Sequence, residues 1–460
     1  MKNRTLLVAV CYLIIAMLTG AGITGAQATP RIQFEKYSLP NGLEVILHED
    51  HSTPIVAVDT WYHVGSGDEQ LGRTGFAHLF EHIMFMGSQN VPVGAFDQML
   101  EAAGANNNGS TTEDRTNYYE TLPSNALQLA LWLDADRMGF LLPTMDLPKV
   151  NLQRDVVKNE RRQRVDNQPY GRADETILAA LYPKSHPYSW PVIGSMADLS
   201  AASLADVQNF FKTYYAPNNA TLTIAGDFDP ATVKKMVAQY FGSIPRGPQV
   251  KRRMTVPAVV IPRDTFLVLE DRVQLPRLFY TWHSVKGFST DDAALDILAQ
   301  VLAGDKNSRL YKKLVYELQI AQNVSAFQDG SRLDGKFQID VTPKPGQQVA
   351  DIDRIVRAEI GNLITGGVMP RELQRAQNVY KASFLNRLAS VLGKAEVLNS
   401  YNYFVGNPDF VQQDAARYER VTAADVQRVA KTYLGCPKII LTVVPEGKKE
   451  MMLTAGGGGR

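Results

Sequence analysis

The chain predicts an α+β protein in which one structural unit is written twice. SLADVQNFFKTYYAPNNATLTIAG, from Ser203, and TAADVQRVAKTYLGCPKIILTVVP, from Thr422, align without a gap at a shift of 219 positions. They share Ala205, Asp206, Val207, Gln208, Lys212, Thr213, Tyr214, Leu222 and Thr223 with their counterparts. LEVILHEDHSTPIVAVDTW, Leu43 to Trp61, faces DTFLVLEDRVQLPRLFYTW, Asp264 to Trp282, at a shift of 221. Two matches at nearly one shift, bracketing each half, argue for duplication over chance. Strand-like runs such as Phe266 to Leu269 alternate with long amphipathic helices, which implies strands covered by helices on one side.

Taken in order, residues 1–28 read as an export signal. Lys2 and Arg4 precede an apolar run from Leu6 to Leu18, and Ala26-Gln27-Ala28 closes the segment as a cleavage site. The apolar run is shorter than the roughly 20 residues of a spanning helix, so no membrane span is expected after cleavage. The mature protein is expected to cross the inner membrane and reside in the periplasm. Cleavage removes Cys11 and leaves Cys436, so no internal disulfide can form. An N-terminal half at 29–246 follows, then a linker at 247–257, a second half at 258–450 and a flexible tail at 451–460. Lys251, Arg252 and Arg253 in the linker read as solvated. Ser203 and Thr422 are expected to open equivalent helices.

Composition excludes several function classes. Of 460 residues, 45% are hydrophobic and 21% charged, enough apolar content for sizeable cores. Lys and Arg number 48 against 47 acidic residues, a balance that argues against a nucleic-acid platform. Two cysteines are too few for multi-cysteine zinc modules or iron–sulfur sites.

Two of only seven histidines lie in TGFAHLFEHIMFM, residues 74–86. Thr74 is expected to cap a helix whose apolar face is Phe76, Leu79, Phe80 and Ile83. His78, Glu81 and His82 then share the opposite face. Two imidazoles one turn apart can reach one ion, and the carboxylate between them can contact a water there. The order is H-x-x-E-H, the reverse of H-E-x-x-H. A catalytic zinc takes three protein ligands and leaves one open place. The helix from Pro148, with Leu152, Val156 and Val157 as its expected apolar side, carries Glu160 as a candidate third ligand. A salt bridge to a nearby arginine is the competing reading of Glu160.

HLFEH, with Glu160 78 positions after His82, resembles the pitrilysin/insulinase group of inverzincin metallopeptidases, and its mitochondrial-processing-peptidase-like branch most closely. The similarity runs through most of the mature chain, including VGSGDEQLGRTGFAHLFEHIMFMGS from Val64 and AGANNNGSTTEDRTNYYETLP from Ala103, where Asn108, Thr116 and Tyr118 fall at matching places. The resemblance implies one zinc per chain held by His78, His82 and Glu160, with Glu81 as general base in peptide-bond hydrolysis. It also implies an active-site edge strand near Asn108 that binds extended peptide. An ordinary turn is the competing reading of Asn106 to Asn108. The implied fold is two homologous domains, each a mixed, mostly antiparallel sheet covered by helices, enclosing a substrate cleft or chamber.

Two positions depart from the family pattern. Gln153 stands where a second Glu is common, seven residues before Glu160. The duplicate of His78, Glu81 and His82 is Ala299, Leu302 and Ala303, which cannot bind zinc. In the family the inactive half often supplies an Arg and a Tyr that grip substrate. KNSRLYKKLVYELQIAQNVS, from Lys306, resembles that region, with Gln322 at the place of the tyrosine. A partner chain, either a second copy or a related inactive subunit, would then complete the site. The competing functional readings are a non-catalytic or partner-dependent subunit and a zinc hydrolase of non-peptide bonds.

Overall fold

A computed structural model describes residues 31–455. The expected signal, residues 1–28, lies outside the described residues. The first sheet contains β1 (Glu35–Ser38), β2 (Glu44–Glu49), β3 (Ile55–Tyr62), β4 (Asn106–Thr111), β5 (Thr116–Pro123) and β6 (Ala220–Gly226). Its order is β1-β2-β6-β3-β5-β4. The second sheet contains β7 (Thr265–Asp271), β8 (Arg277–His283), β9 (Ala321–Gly330), β10 (Gly335–Pro343) and β11 (Ile439–Pro445), in the order β7-β11-β8-β10-β9.

The duplication is visible in this topology. In each sheet one central strand pairs parallel on one side and antiparallel on the other: β6 with β2 and β3, β11 with β7 and β8. The remaining pairs are antiparallel. The class is thus α+β, with two homologous units, each a mixed and mostly antiparallel sheet.

The helices that position the site and join the halves are α1 (Phe76–Ile83), α2 (Leu127–Phe140), α3 (Leu147–Arg161), α4 (Ala173–Leu181) and α5 (Leu204–Tyr214). Their second-half counterparts include α6 (Asp292–Ala303), α7 (Val349–Gly366), α8 (Val391–Ser400) and α9 (Ala423–Val429). Ser203 and Thr422 open α5 and α9 as expected. Each hydroxyl accepts the N–H three residues on, and each third residue, Asp206 or Asp425, returns a capping-box bond.

Helices do not cover the strands on one side only, because the halves exchange equivalent helices. Helix α8 of the second half lies on β3 and β6 of the first sheet, and α4 of the first half lies on β8 and β11 of the second. Strand β6 is therefore buried along its whole length, polar Thr221 and Thr223 included. Asn399 of α8 satisfies much of that buried polarity. Its Nδ2 donates to Asp59 O (3.0 Å) and Asp59 Oδ2 (2.9 Å), and its Oδ1 accepts from Thr223 Oγ1 (2.7 Å). Burial pushes the Asp59 carboxyl up to about 7, against the hydrogen bonds from Asn399 and Asn117. Removing the Asn399 amide leaves buried groups of the first half, on Asp59 and Thr223, short of a partner, so Asn399→Ala is expected to destabilise the chain by about 2–4 kcal/mol. Urea unfolding checks this, and an unchanged midpoint would show that the exchanged helix contributes little.

Equivalent hairpin tips also meet. Asp114, in the β4–β5 turn, accepts from Tyr188 Oη (2.6 Å) and from the backbone N–H of Arg332 (2.8 Å), in the β9–β10 turn. Arg252 corrects the solvated reading of its segment. Its guanidinium is half-buried, donating to His63 O (2.7 Å) and Asn219 Oδ1, while Lys251 and Arg253 are exposed. The expected tail begins later than 451, since Leu453 is packed in the second core and its N–H donates to Thr442 Oγ1 (3.1 Å).

Candidate metal centre

Helix α1 packs Phe76, Leu79, Phe80 and Ile83 into the first core, each 2% exposed or less. That apolar stripe turns His78, Glu81 and His82 to the other side. Thr74 does not cap the helix as expected. Its Oγ1 donates to Asp198 Oδ2 (2.6 Å), and the N-cap is Gly75, whose φ of 88° suits a residue without a Cβ. The first-turn N–H groups are instead held by Glu69, which accepts from Gly75 N (2.9 Å) and Ala77 N (2.8 Å). Trp190 Nε1 donates to the same carboxylate at 3.2 Å. Burial pushes the Glu69 carboxyl up to about 8 in spite of these bonds. Pattern reading missed Glu69; the one signal is an acid shortly before a glycine-led helix that lacks a side-chain cap.

Glu160 reaches the histidines from α3, but not on the face expected. Leu152 and Val156 are exposed, at 53% and 38%, and the buried row is Val150, Gln153, Val157 and Arg161. Glu160 lies one turn beyond Val157 on that row. Its Oε2 is 3.1 Å from His82 Nε2 and 3.6 Å from His78 Nε2. Its Oε1 takes Arg164 Nη1 at 2.8 Å. The arginine pairing and the histidine pairing thus coexist, one on each oxygen. The His82 hydrogen bond holds the Glu160 carboxyl below its ordinary value. Burial holds His78 below the ordinary imidazole value, favouring the neutral ring.

One ligand atom from each of His78, His82 and Glu160 can be chosen so that all lie within 4.8 Å of one another. Two imidazole nitrogens and one carboxylate oxygen form a donor set suited to zinc with one coordination place left for solvent. The residues therefore fit the metal that the sequence pattern implies. In the second half, Ala299, Leu302 and Ala303 are buried in α6 at 4%, 0% and 6% exposure, with no donor atom to offer.

Asn106 to Asn108 form a strand rather than a turn. Strand β4 pairs with β5 on one side and ends the sheet order, leaving its other edge without a strand partner among the described residues. Asn108 is exposed on it, and its Oδ1 accepts the N–H of Gly109 (2.9 Å). A cavity of about 550 Å³ abuts this edge, lined by His82, Phe85, Met86, Asn107, Asn108 and Gln153 among others. Gln153 is 8% exposed and sets its Nε2 against Met86 Sδ at 2.6 Å. Thr116 and Tyr118 are buried structural residues: Thr116 Oγ1 donates to Val64 O (2.9 Å) and Tyr118 Oη to Phe80 O (3.0 Å). In the second half, Gln322 is exposed on β9, while Arg309 is committed to Glu372 through two bonds of 2.8 and 2.7 Å.

The His78, His82 and Glu160 constellation lies in the first half of this fold, and the equivalent positions of the second half carry no donor. The chain belongs to the insulinase family of peptidases, family M16: the insulinase description matches residues 44–192 and the family's inactive-domain description matches residues 201–380. It is 28% identical over 430 residues to the zinc protease PqqE of Helicobacter pylori, covering 91% of this chain and 94% of that one. It is 24% identical over 420 residues to a probable mitochondrial-processing peptidase subunit beta of Arabidopsis thaliana, covering 88% and 77% of the two chains. A crystal structure of a protease from Helicobacter pylori superposes with a TM-score of 0.82 at 26% identity, covering 90% of this chain and all of that one. No helix among the described residues is long and apolar enough to cross a membrane.

Proposed function

We propose that this chain is a zinc-dependent endopeptidase that cleaves peptides or unfolded protein segments. The carrying observation is that His78, His82 and Glu160 converge beside Glu81 at the open edge of β4. His78, His82 and Glu160 hold one zinc per chain. When bound, zinc lowers the pKa of a water and polarises the scissile carbonyl. Glu81 takes the proton of the attacking water and returns it to the leaving amine nitrogen. The free backbone groups of β4, with Asn108 among them, pair with an extended substrate. Globular proteins would be poor substrates, because their backbone groups are already paired.

The armed domain is 29–246, and the homologous domain at 258–450, beyond the linker, is unarmed. Residues 1–28 direct export to the periplasm. Since Gln322 stands where the resemblance places a tyrosine, a partner chain, a second copy or a related inactive subunit, supplies the remaining substrate grip. The mature protein is expected to cleave unstructured peptides, to lose that activity with a chelator and to regain it with about one equivalent of zinc. Peptide cleavage that ignores the chelator would overturn the proposal. So would a zinc-loaded chain that cleaves esters or small amides but no peptide, alone or with its co-purified partner.

A further inference from the structure

The carboxylate of Glu81 does not stand free on α1. Its Oε2 accepts a hydrogen bond from Thr111 Oγ1 at 2.6 Å. Thr111 belongs to β4, and the strand is shaped for this approach. Two residues earlier, on the same side of the strand, a Cβ at Gly109 would lie 3.0 Å from Glu81 Cγ. Between them, Ser110 points the other way, its Oγ donating to Asn117 Oδ1 (2.6 Å). Arg115 Nη1 braces the same hairpin from Ser110 O (2.9 Å) and Asn117 Oδ1 (3.1 Å). Tyr118, opposite Gly109 in the ladder, ties the backbone of α1 at Phe80. One hairpin thus holds both the backbone and the side chain of the turn that carries Glu81.

From this geometry we infer that Thr111 is a positioning residue that aims the Glu81 carboxylate, and that it links occupation of the β4 edge to alignment of the base. The inference rests on the reading of Glu81 as the general base. A glutamate side chain has three rotatable bonds, and a tether on Oε2 leaves Oε1 in one place to meet a proton. The tether comes from the strand whose outer edge would pair with substrate. A peptide added there would stiffen β4 and with it the Thr111 hydroxyl. Gly109 supplies the room and Thr111 the donor, so neither is interchangeable with a bulkier or purely apolar residue.

Thr111→Val keeps the branched shape a strand favours and removes the donor, whereas Thr111→Ser keeps the donor. With the full zinc-loaded chain and an internally quenched, unstructured peptide, Thr111→Val is expected to lower kcat roughly 10- to 100-fold with KM unchanged. Zinc content and unfolding midpoint should match the parent. Thr111→Ser should return kcat to within about threefold. Parental kcat in Thr111→Val overturns the inference, as does an equal loss in both variants or a loss that follows zinc content or KM alone. Parental kcat in Thr111→Val beside a dead Glu81→Gln overturns this inference only. Normal turnover by Glu81→Gln overturns the reading beneath it as well.

Discussion

Glu81→Gln is expected to lower kcat for peptide hydrolysis by roughly 100- to 10,000-fold while the protein keeps its zinc. The substitution preserves shape. Gln still offers an oxygen to Thr111 Oγ1, and the close approach of Gly109 to the side-chain stem is unchanged. What disappears is the basic oxygen, since an amide cannot take a proton from water at neutral pH. His78, His82 and Glu160 are untouched, so metal analysis should return the same stoichiometry as the parent. Loss of zinc together with activity would make Glu81 a structural support of the centre. Normal turnover with zinc in place would remove Glu81 from the chemistry.

Glu160→Gln is expected to abolish activity by a different route, through loss of the metal. In the proposed centre Glu160 is the single carboxylate donor beside two imidazoles. Replacing it also removes the charge opposite Arg164, leaving at most an amide oxygen to accept its hydrogen bond. The drop in zinc affinity should exceed the roughly 10- to 100-fold usual for a residue that only supports a ligand. Zinc content after dialysis and activity against added zinc measure both effects. Arg164→Ala is the control: that side chain is 78% exposed, and an exposed ion pair is worth about 1 kcal/mol or less. Zinc retained at parental affinity in Glu160→Gln would rule out Glu160 as a ligand.

These two variants differ in how visible their targets were beforehand. Glu81 stands inside a five-residue word whose helical spacing places it between two histidines. Glu160 was legible only as a carboxylate at the right distance along the chain, and of the three residues assigned to the apolar face of its helix only Val157 is buried. Leu152 and Val156 look like the apolar side of α3, yet they are exposed, and the buried row instead includes the polar Gln153 and Arg161. Apolar spacing ranks faces by hydrophobicity, whereas Arg161 is buried because Gly194 O and Glu175 receive its guanidinium. Glu69 and Thr111 left almost no trace in the sequence, because a lone acid in a loop or a lone threonine in a strand has many uses.

The amino-acid sequence by itself determined the duplicated unit, the α+β class and the helix that places His78, Glu81 and His82 together. These follow from local periodicity and from repetition along one chain, both of which can be read without coordinates. Tertiary structure alone decided that the two halves exchange helices, joining Asn399 to Asp59 across 340 positions. It also decided that Glu69 holds the start of α1, that β4 is an open edge and that Thr111 reaches Glu81. Each of these is a contact between segments whose meeting depends on how sheets and helices close on one another, and no short-range pattern encodes that closure.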